Sequence, residues 1–341
     1  MNIQHFPISV TEKQCGHVCE HPQADLTAYL LDPMEETKDR LRPAVVICPG
    51  GGYNHVSQRE DQPVAMEYLA MGCQVFVLHY SVAPDRFPRA LMELALSVDL
   101  IRKNSRSWQI DPNRILVSGF SAGGHLACSL GVFWDKDFLF GPIEKGPENI
   151  RPNGLILCYP VITSGEYAHR GSVETLLGPQ QLDNEEMVRL FSLENQVGPQ
   201  VPPVFLWHTW TDQTVPVENS LLLASALRKH GISLEMHIYP RGIHGLSTAS
   251  HEVEGRDGRY YEPSCQSWLP LVKTWLESFL GGRSALQKPP QSSQPRRSRL
   301  SSNSSSFTSS SSSRLIFSCM AVMKSSRLIS PFRYCSFSWL S

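Results

Sequence analysis

Short apolar runs recur along the chain between residues 44 and 240: AVVICP (44–49), CQVFVLHY (73–80), ILVSGF (115–120), GLILCYP (154–160), VFLWHT (204–209) and LEMHIYP (234–240). Most are rich in β-branched or aromatic residues and too short for a helix, which is the signature of a buried strand. Two further strands are predicted at residues 3–10 and 24–31. Between the runs, apolar positions fall at helical spacing. Leu91, Leu94, Ala95, Val98 and Ile101 make one such face; Ala122, Leu126, Ala127 and Leu130 make another. Ser57 and Glu60 read as an S-x-x-E capping box opening a helix through Val64, Tyr68 and Leu69 that stops at Gly72. Asp111-Pro112-Asn113 reads as a turn into the strand before Ser121. Further helices are predicted from Val217 to His230, closed by Gly231, and from about 264 to 280. Apolar strands alternating with helices specify a mostly parallel central sheet with helices on both faces, an α/β class.

Two segments break this rhythm. Residues 163–200 carry Gly165, Gly171, Gly178 and Pro179 around one short helical pattern at 184–191, and read as a small cap-like insertion after a strand end. Beyond about residue 281 the pattern stops. Residues 301–313 contain ten serines, preceded by KPPQSSQPRRSR. Such composition cannot bury enough apolar surface to order a chain. The expected organisation is one domain over 1–281 and a Ser-rich, basic, disordered extension over 282–341.

The net charge of −1 conceals an asymmetry, because no Asp or Glu follows Glu277 whereas nine Lys and Arg do. The body is therefore acidic, which argues against a nucleic-acid partner. The nine cysteines are scattered, and Cys48, Cys73 and Cys158 lie inside apolar runs. That suits free thiols in a reducing compartment. MNIQHFPISV has no basic region followed by an apolar stretch, and no run approaches membrane-spanning length. The expected address is cytoplasmic, without a membrane partner; a homo-oligomer is left open. Cys15, His17, Cys19 and His21 resemble a metal-ligand cluster, but a second ligand pair at finger spacing is missing. An incidental loop is preferred, and neither metal nor cofactor is expected.

Candidate chemistry centres on Gly119-Phe120-Ser121-Ala122-Gly123, a G-x-S-x-G pentapeptide between a predicted strand and a predicted helix. In that context the tight turn presents the serine hydroxyl at its tip. A serine needs a base, and the base needs an orienting carboxylate. Asp212 closely follows VFLWHT, and His244 closely follows LEMHIYP, so both fall just past strand ends, where ligands of such sheets lie. The order Ser121, Asp212, His244 is that of α/β-hydrolases. His55, His125 and His208 are read as structural or pocket-lining, Asp183 and Asp257 as solvated. An oxyanion needs backbone N–H donors. Ala122 and the Gly50-Gly51-Gly52 loop are the candidates, with Gly51 preferred and Gly52 next. A phosphate cradle is disfavoured because G-x-x-x-x-G-K-S/T is absent.

VVICPGGGY, SQREDQPVA, GFSAGGHLA, HTWTDQTVPVENS and GIHGL together resemble the intracellular esterases of the α/β-hydrolase superfamily. The nearest likeness is to the acetyl-xylan/feruloyl-esterase-like group, akin to hormone-sensitive lipase. The likeness covers about residues 1–280 and implies an α/β-hydrolase fold, with Ser121, Asp212 and His244 as triad and Gly50–Gly52 with Ala122 as oxyanion hole. Pro49 departs from the histidine of H-G-G-G enzymes. The implied activity is serine-esterase hydrolysis of short-chain, especially acetyl, esters of a small-molecule alcohol such as an acetylated carbohydrate. Tyr53, Tyr159 and Trp210, near strand ends, are candidate substrate-binding residues, as is Trp207 more weakly. The alternatives are a prolyl-oligopeptidase-like peptidase and a non-catalytic binding protein on the same fold.

Overall fold

The computed structural model describes residues 1–20 and 23–280. The extension over 282–341, expected to be disordered, lies outside the described residues, as does His21. Eight strands form one sheet: β1 (Asn2–Ile8), β2 (Ala24–Leu30), β3 (Arg42–Cys48), β4 (Gln74–His79), β5 (Ile110–Phe120), β6 (Gly154–Cys158), β7 (Val204–Thr209) and β8 (Leu234–Tyr239). Their spatial order is β1-β2-β4-β3-β5-β6-β7-β8. β1 and β2 pair antiparallel, as do β2 and β4; every later pairing is parallel.

Apolar runs without alternation form these central strands because both faces are covered. β3 sends Ala44, Val46 and Cys48 into one core layer and Val45 and Ile47 into the other, all fully buried. On the first face pack the helices Arg89–Lys103 and Ala122–Phe133; Trp268, Val272 and Leu276 of the last helix, Trp268–Leu280, belong to the second. The described cysteines are all free thiols. No helix among the described residues is long and apolar enough to cross a membrane.

Several boundaries differ from the pattern reading. The helix expected from the Ser57 capping box begins later, at Gln62, with Pro63 in its first turn. Ser57 makes no side-chain cap bond and Gln58–Glu60 form a single 3₁₀ turn, because the Glu60 carboxyl is drawn inward. Asp111–Asn113 belong to β5, whose register with β3 shifts between Arg42 and Ala44. The segment 163–200 holds two helices, Arg170–Leu177 and Glu185–Phe191, where the pattern gave one.

Strand order reverses at β3 and β5: the chain passes from β3 outward to β4, and from β5 in the opposite direction through β6 to β8. The carboxyl ends of adjacent strands diverge at such a point and leave a crevice. The Gly50 loop leaves β3 there, and Ser121 leaves β5.

Candidate active site

Ser121 sits between β5 and the helix Ala122–Phe133 with φ 54° and ψ −121°. A non-glycine residue in this region is strained and persists only when its surroundings over-determine it. Here its N–H donates to the Cys158 carbonyl (3.0 Å), and its own carbonyl accepts from the Val161 N–H (3.0 Å). The flanking glycines permit the close packing. A Cβ on Gly119 would lie 2.2 Å from the Gly123 carbonyl oxygen, and one on Gly123 would lie 2.0 Å from that of Cys48. Ala122 opens the helix, so its N–H is one of those without an intrahelical acceptor.

The other two candidate residues meet this turn from β7 and β8. His244 Nε2 stands 2.7 Å from Ser121 Oγ, and Nδ1 stands 2.6 Å from Asp212 Oδ2. Asp212 Oδ1 accepts from the Thr214 and Val215 N–H groups, both at 2.9 Å. His208 adds a bond that pattern reading did not anticipate. Its Nδ1 faces the Ser220 hydroxyl at 2.7 Å, and its Nε2 faces the Val215 carbonyl at 2.9 Å and Asp212 Oδ2 at 3.4 Å. A carbonyl can only accept, so Nε2 carries the proton and points it toward the carboxylate as well. Burial by itself would raise the Asp212 pKa. The bonds from His208 and His244, the charge of His244 and the Val215 N–H outweigh it and hold the carboxyl well below the usual carboxylate range.

The glycine loop is anchored from below by Glu60, which is buried at the edge of the cleft. Its Oε2 accepts from the Gly50 N–H (2.7 Å) and its Oε1 from the Tyr159 hydroxyl (2.7 Å). That hydroxyl in turn accepts from the Ser247 N–H at 2.8 Å. One carboxyl thus ties together the loop after β3, the end of β6 and the segment following His244. With its N–H spent on Glu60, Gly50 leaves the donor set, and Gly51 (φ 126°) and Gly52 (φ 63°) remain on the cleft wall beside Ser121.

The cleft over Ser121 has a volume of about 460 Å³, with Arg59, His169, Thr214, His244 and Tyr260 among its walls. The aromatic residues expected to hold substrate do not line it. Tyr53 is buried, its hydroxyl 2.8 Å from His125 Nδ1. Tyr159 is buried beneath the site, its ring meeting that of His244 edge-on at 5.1 Å. Each hydroxyl is committed to an internal bond, so neither ring can turn outward. Trp210 is exposed on the outer surface, and Trp207 lies in the core. His125 is locked between Tyr53 and the Phe191 carbonyl, and burial pushes its pKa down to about 4. His55 lines the cleft, while Asp183 and Asp257 are exposed. The Cys15 and Cys19 sulfurs lie 3.5 Å apart, and His17 Nε2 bonds the Arg86 carbonyl.

Residues that pattern reading missed are informative. Glu60 was masked by its resemblance to a helix cap. His169 caps the helix Arg170–Leu177, which the pattern did not show, and Tyr260 lies in the irregular segment 241–267. For His208 there was a signal: it stands four residues before Asp212, across one strand-end turn.

A model of the BD-FAE family matches residues 31–227. Endo-1,4-beta-xylanase B of Butyrivibrio fibrisolvens is 40% identical over 67% of this chain and 35% of its own length. An acetylxylan esterase of Xylanibacter ruminicola is 30% identical over 60% of this chain and 41% of its own. The chain therefore spans well under half the length of these curated relatives. Among solved structures, an acetyl ester-xyloside bifunctional hydrolase from Caldicellulosiruptor lactoaceticus superposes with a TM-score of 0.67 at 37% identity, covering 81% of this chain and 96% of that one. A carboxylesterase from Lactobacillus plantarum gives 0.68 at 28% identity, covering 82% and 98%. The fold is thus the α/β-hydrolase fold.

The depressed Asp212 pKa has a measurable consequence for stability. A carboxyl whose folded pKa lies below its unfolded value stabilises the protein above the unfolded pKa, about 3.9, and loses that contribution as pH falls. Asp212→Asn lacks the contribution at every pH. The Tm gap between wild type and variant is therefore expected to be widest near neutrality and to narrow from about pH 5 downward. Calorimetry at stepped pH checks this, and a gap constant with pH would contradict it.

Proposed function

The chain belongs to the BD-FAE family, and from that premise we propose that it is a serine carboxylic-ester hydrolase. Its proposed substrates are short-chain, chiefly acetyl, esters of small alcohols, with acetylated carbohydrates as the candidate class. The supporting observation is the continuous hydrogen-bond path from Ser121 Oγ through both nitrogens of His244 to Asp212, at 2.7 and 2.6 Å.

In this reading Ser121 Oγ attacks the ester carbonyl carbon while His244 Nε2 takes the hydroxyl proton. Asp212 holds the proton of Nδ1, so Nε2 is free to accept, and it stabilises the imidazolium that forms. The carbonyl oxygen, now negative, lies against the N–H groups of Ala122 and of Gly51 or Gly52, each of which contributes about 3 kcal/mol toward lowering the barrier. The imidazolium returns its proton to the departing alcohol oxygen, leaving an acyl-serine. Water then attacks the acyl carbon with His244 again as base, releasing the acid and restoring Ser121. A site that only bound ligands would gain nothing from holding a serine at positive φ against a histidine.

Loss of the nucleophile gives the plainest test. Ser121→Ala is expected to lower kcat/KM for p-nitrophenyl acetate by a factor on the order of 10⁴ or more, with the fold intact by circular dichroism. Rates equal to wild type would end the esterase reading.

Glu60 is assigned a positioning role, acting on the oxyanion through the Gly50 loop. Its loss is expected to fall on kcat rather than KM, because the loop's donors matter most once charge develops on the oxygen. Displacing a catalytic group by about 1 Å costs on the order of 10²-fold. Glu60→Ala should approach that loss, and Glu60→Gln, which keeps one acceptor, should recover part of it. A folded Glu60→Ala variant with unchanged kcat would refute the role.

A further inference from the structure

The cleft walls offer neutral polar groups, from Asn54, Ser57, Thr175 and Thr214, but no free carboxylate among the described residues. Among the described residues the one carboxyl that lines them is that of Glu60, and both of its oxygens are filled by Gly50 and Tyr159. His169 lines the same space. His169 Nδ1 accepts from the Ser172 N–H (3.3 Å) and faces the Ser172 hydroxyl at 2.8 Å. With Nδ1 an acceptor, the proton of the neutral ring resides on Nε2. Desolvation and the nearby His244 lower the pKa of His169, which keeps the ring in that neutral form.

Arg59 also lines the cleft. Its guanidinium carbon sits over the Tyr260 ring, 3.8 Å from the centroid. No carboxylate among the described residues comes within ion-pair distance of it, and its buried Nε has no acceptor. Nearby Arg259, in contrast, is paired with Asp257 at 3.4 Å. The base of Arg59 is fixed, because its carbonyl accepts from the Ser247 hydroxyl at 2.6 Å. With Nε buried, the edge formed by the two Nη groups is left for a second partner, and two parallel N–H groups match a carboxylate.

Position matters as much as charge. A Cβ on Gly245, the neighbour of His244, would lie 3.4 Å from the Arg59 guanidinium. His244 protonates the departing alcohol, so the group attached to that oxygen passes along this wall. Thr214, His244 and Tyr260 also line a second cavity of about 510 Å³, whose walls carry Arg259 and no carboxyl group among the described residues. A neutral polyol can bond the neutral side chains here but makes no charge pair with the guanidinium. A carboxylate brings acceptors only.

We propose that this site selects esters whose alcohol portion carries a carboxylate, and that Arg59, held over Tyr260, is the specificity-determining residue. This rests on the esterase reading above. The class includes acetylated sugar acids and acetylated hydroxy-aromatic acids. Because residues 1–280 carry 22 Lys and Arg against 32 Asp and Glu, the local cation works against the charge of the body. The preference is therefore short-ranged and weakens with salt.

The test uses the full chain with para-acetoxybenzoate and its neutral counterpart para-acetoxybenzamide. Each kcat/KM is divided by the rate constant for hydroxide-catalysed hydrolysis of the same ester, which removes leaving-group differences. Wild type is expected to prefer the carboxylate by about tenfold or more at low salt, the range of a hydrogen-bonded charge pair. The preference should shrink in high salt. Arg59→Gln should bring the ratio close to one, and Arg59→Lys, which keeps the charge without the fork, should give an intermediate value. A wild-type ratio at or below one, a ratio insensitive to salt, or a preference that survives Arg59→Gln would overturn the proposal. If p-nitrophenyl acetate is hydrolysed while the carboxylate preference is absent, only this inference falls. If none of the three esters is hydrolysed, the esterase reading falls and takes this inference with it.

Discussion

The backbone at Ser121 is held at φ 54°, a conformation that costs a non-glycine residue about 1–3 kcal/mol. The rest of the site depends on that turn. It lifts the hydroxyl out of the sheet edge, starts the helix Ala122–Phe133 directly behind it, and points the first helical N–H groups toward the same space. The end of β6 and the residues just after it restrain it: the Cys158 carbonyl takes its N–H, and Val161 donates to its carbonyl. Gly119 and Gly123 then allow the helix to lie against β3 and β5 with no room for a methyl group. The strain is local, and it is offset by a helix whose every residue is buried.

Around this turn, polar groups are enclosed in a particular way. Asp212 is surrounded by donors from two histidines and two backbone amides, and Glu60 by one amide and one phenol. Buried carboxyl groups are costly unless their oxygens are satisfied, and here they are. Each joins elements far apart in sequence. Asp212 couples the β7 and β8 loops; Glu60 couples the loops after β3, β6 and β8. The loops that carry the proposed catalytic groups are therefore mutually bonded through side chains rather than positioned one by one.

Periodicity carried the architecture well where burial is two-sided, because a strand covered on both faces leaves an uninterrupted apolar run. The central strands from β3 to β7 were legible for that reason, and Ser121, Asp212 and His244 were legible because each follows such a run closely. Glu60 was not, since its capping-box spacing is the same whether the carboxyl caps a helix or turns inward. Tyr53 and Tyr159 misled for a related reason: an aromatic residue after a strand can face the crevice or the core, and only the partner of its hydroxyl decides. His169, Arg59 and Tyr260 line one cleft from three separate segments, a proximity that no local pattern encodes.

The central claim is that Ser121 becomes covalently acylated during turnover. Mixing the protein with p-nitrophenyl acetate on the millisecond scale, quenching in acid and mapping the peptides by mass spectrometry tests this without a variant. The account predicts one acetyl group, located on the peptide containing Ser121, that disappears as substrate is exhausted. Continued turnover with the acetyl group on another residue, or with Ser121 unmodified while acyl transfer to the protein is otherwise detectable, would contradict it.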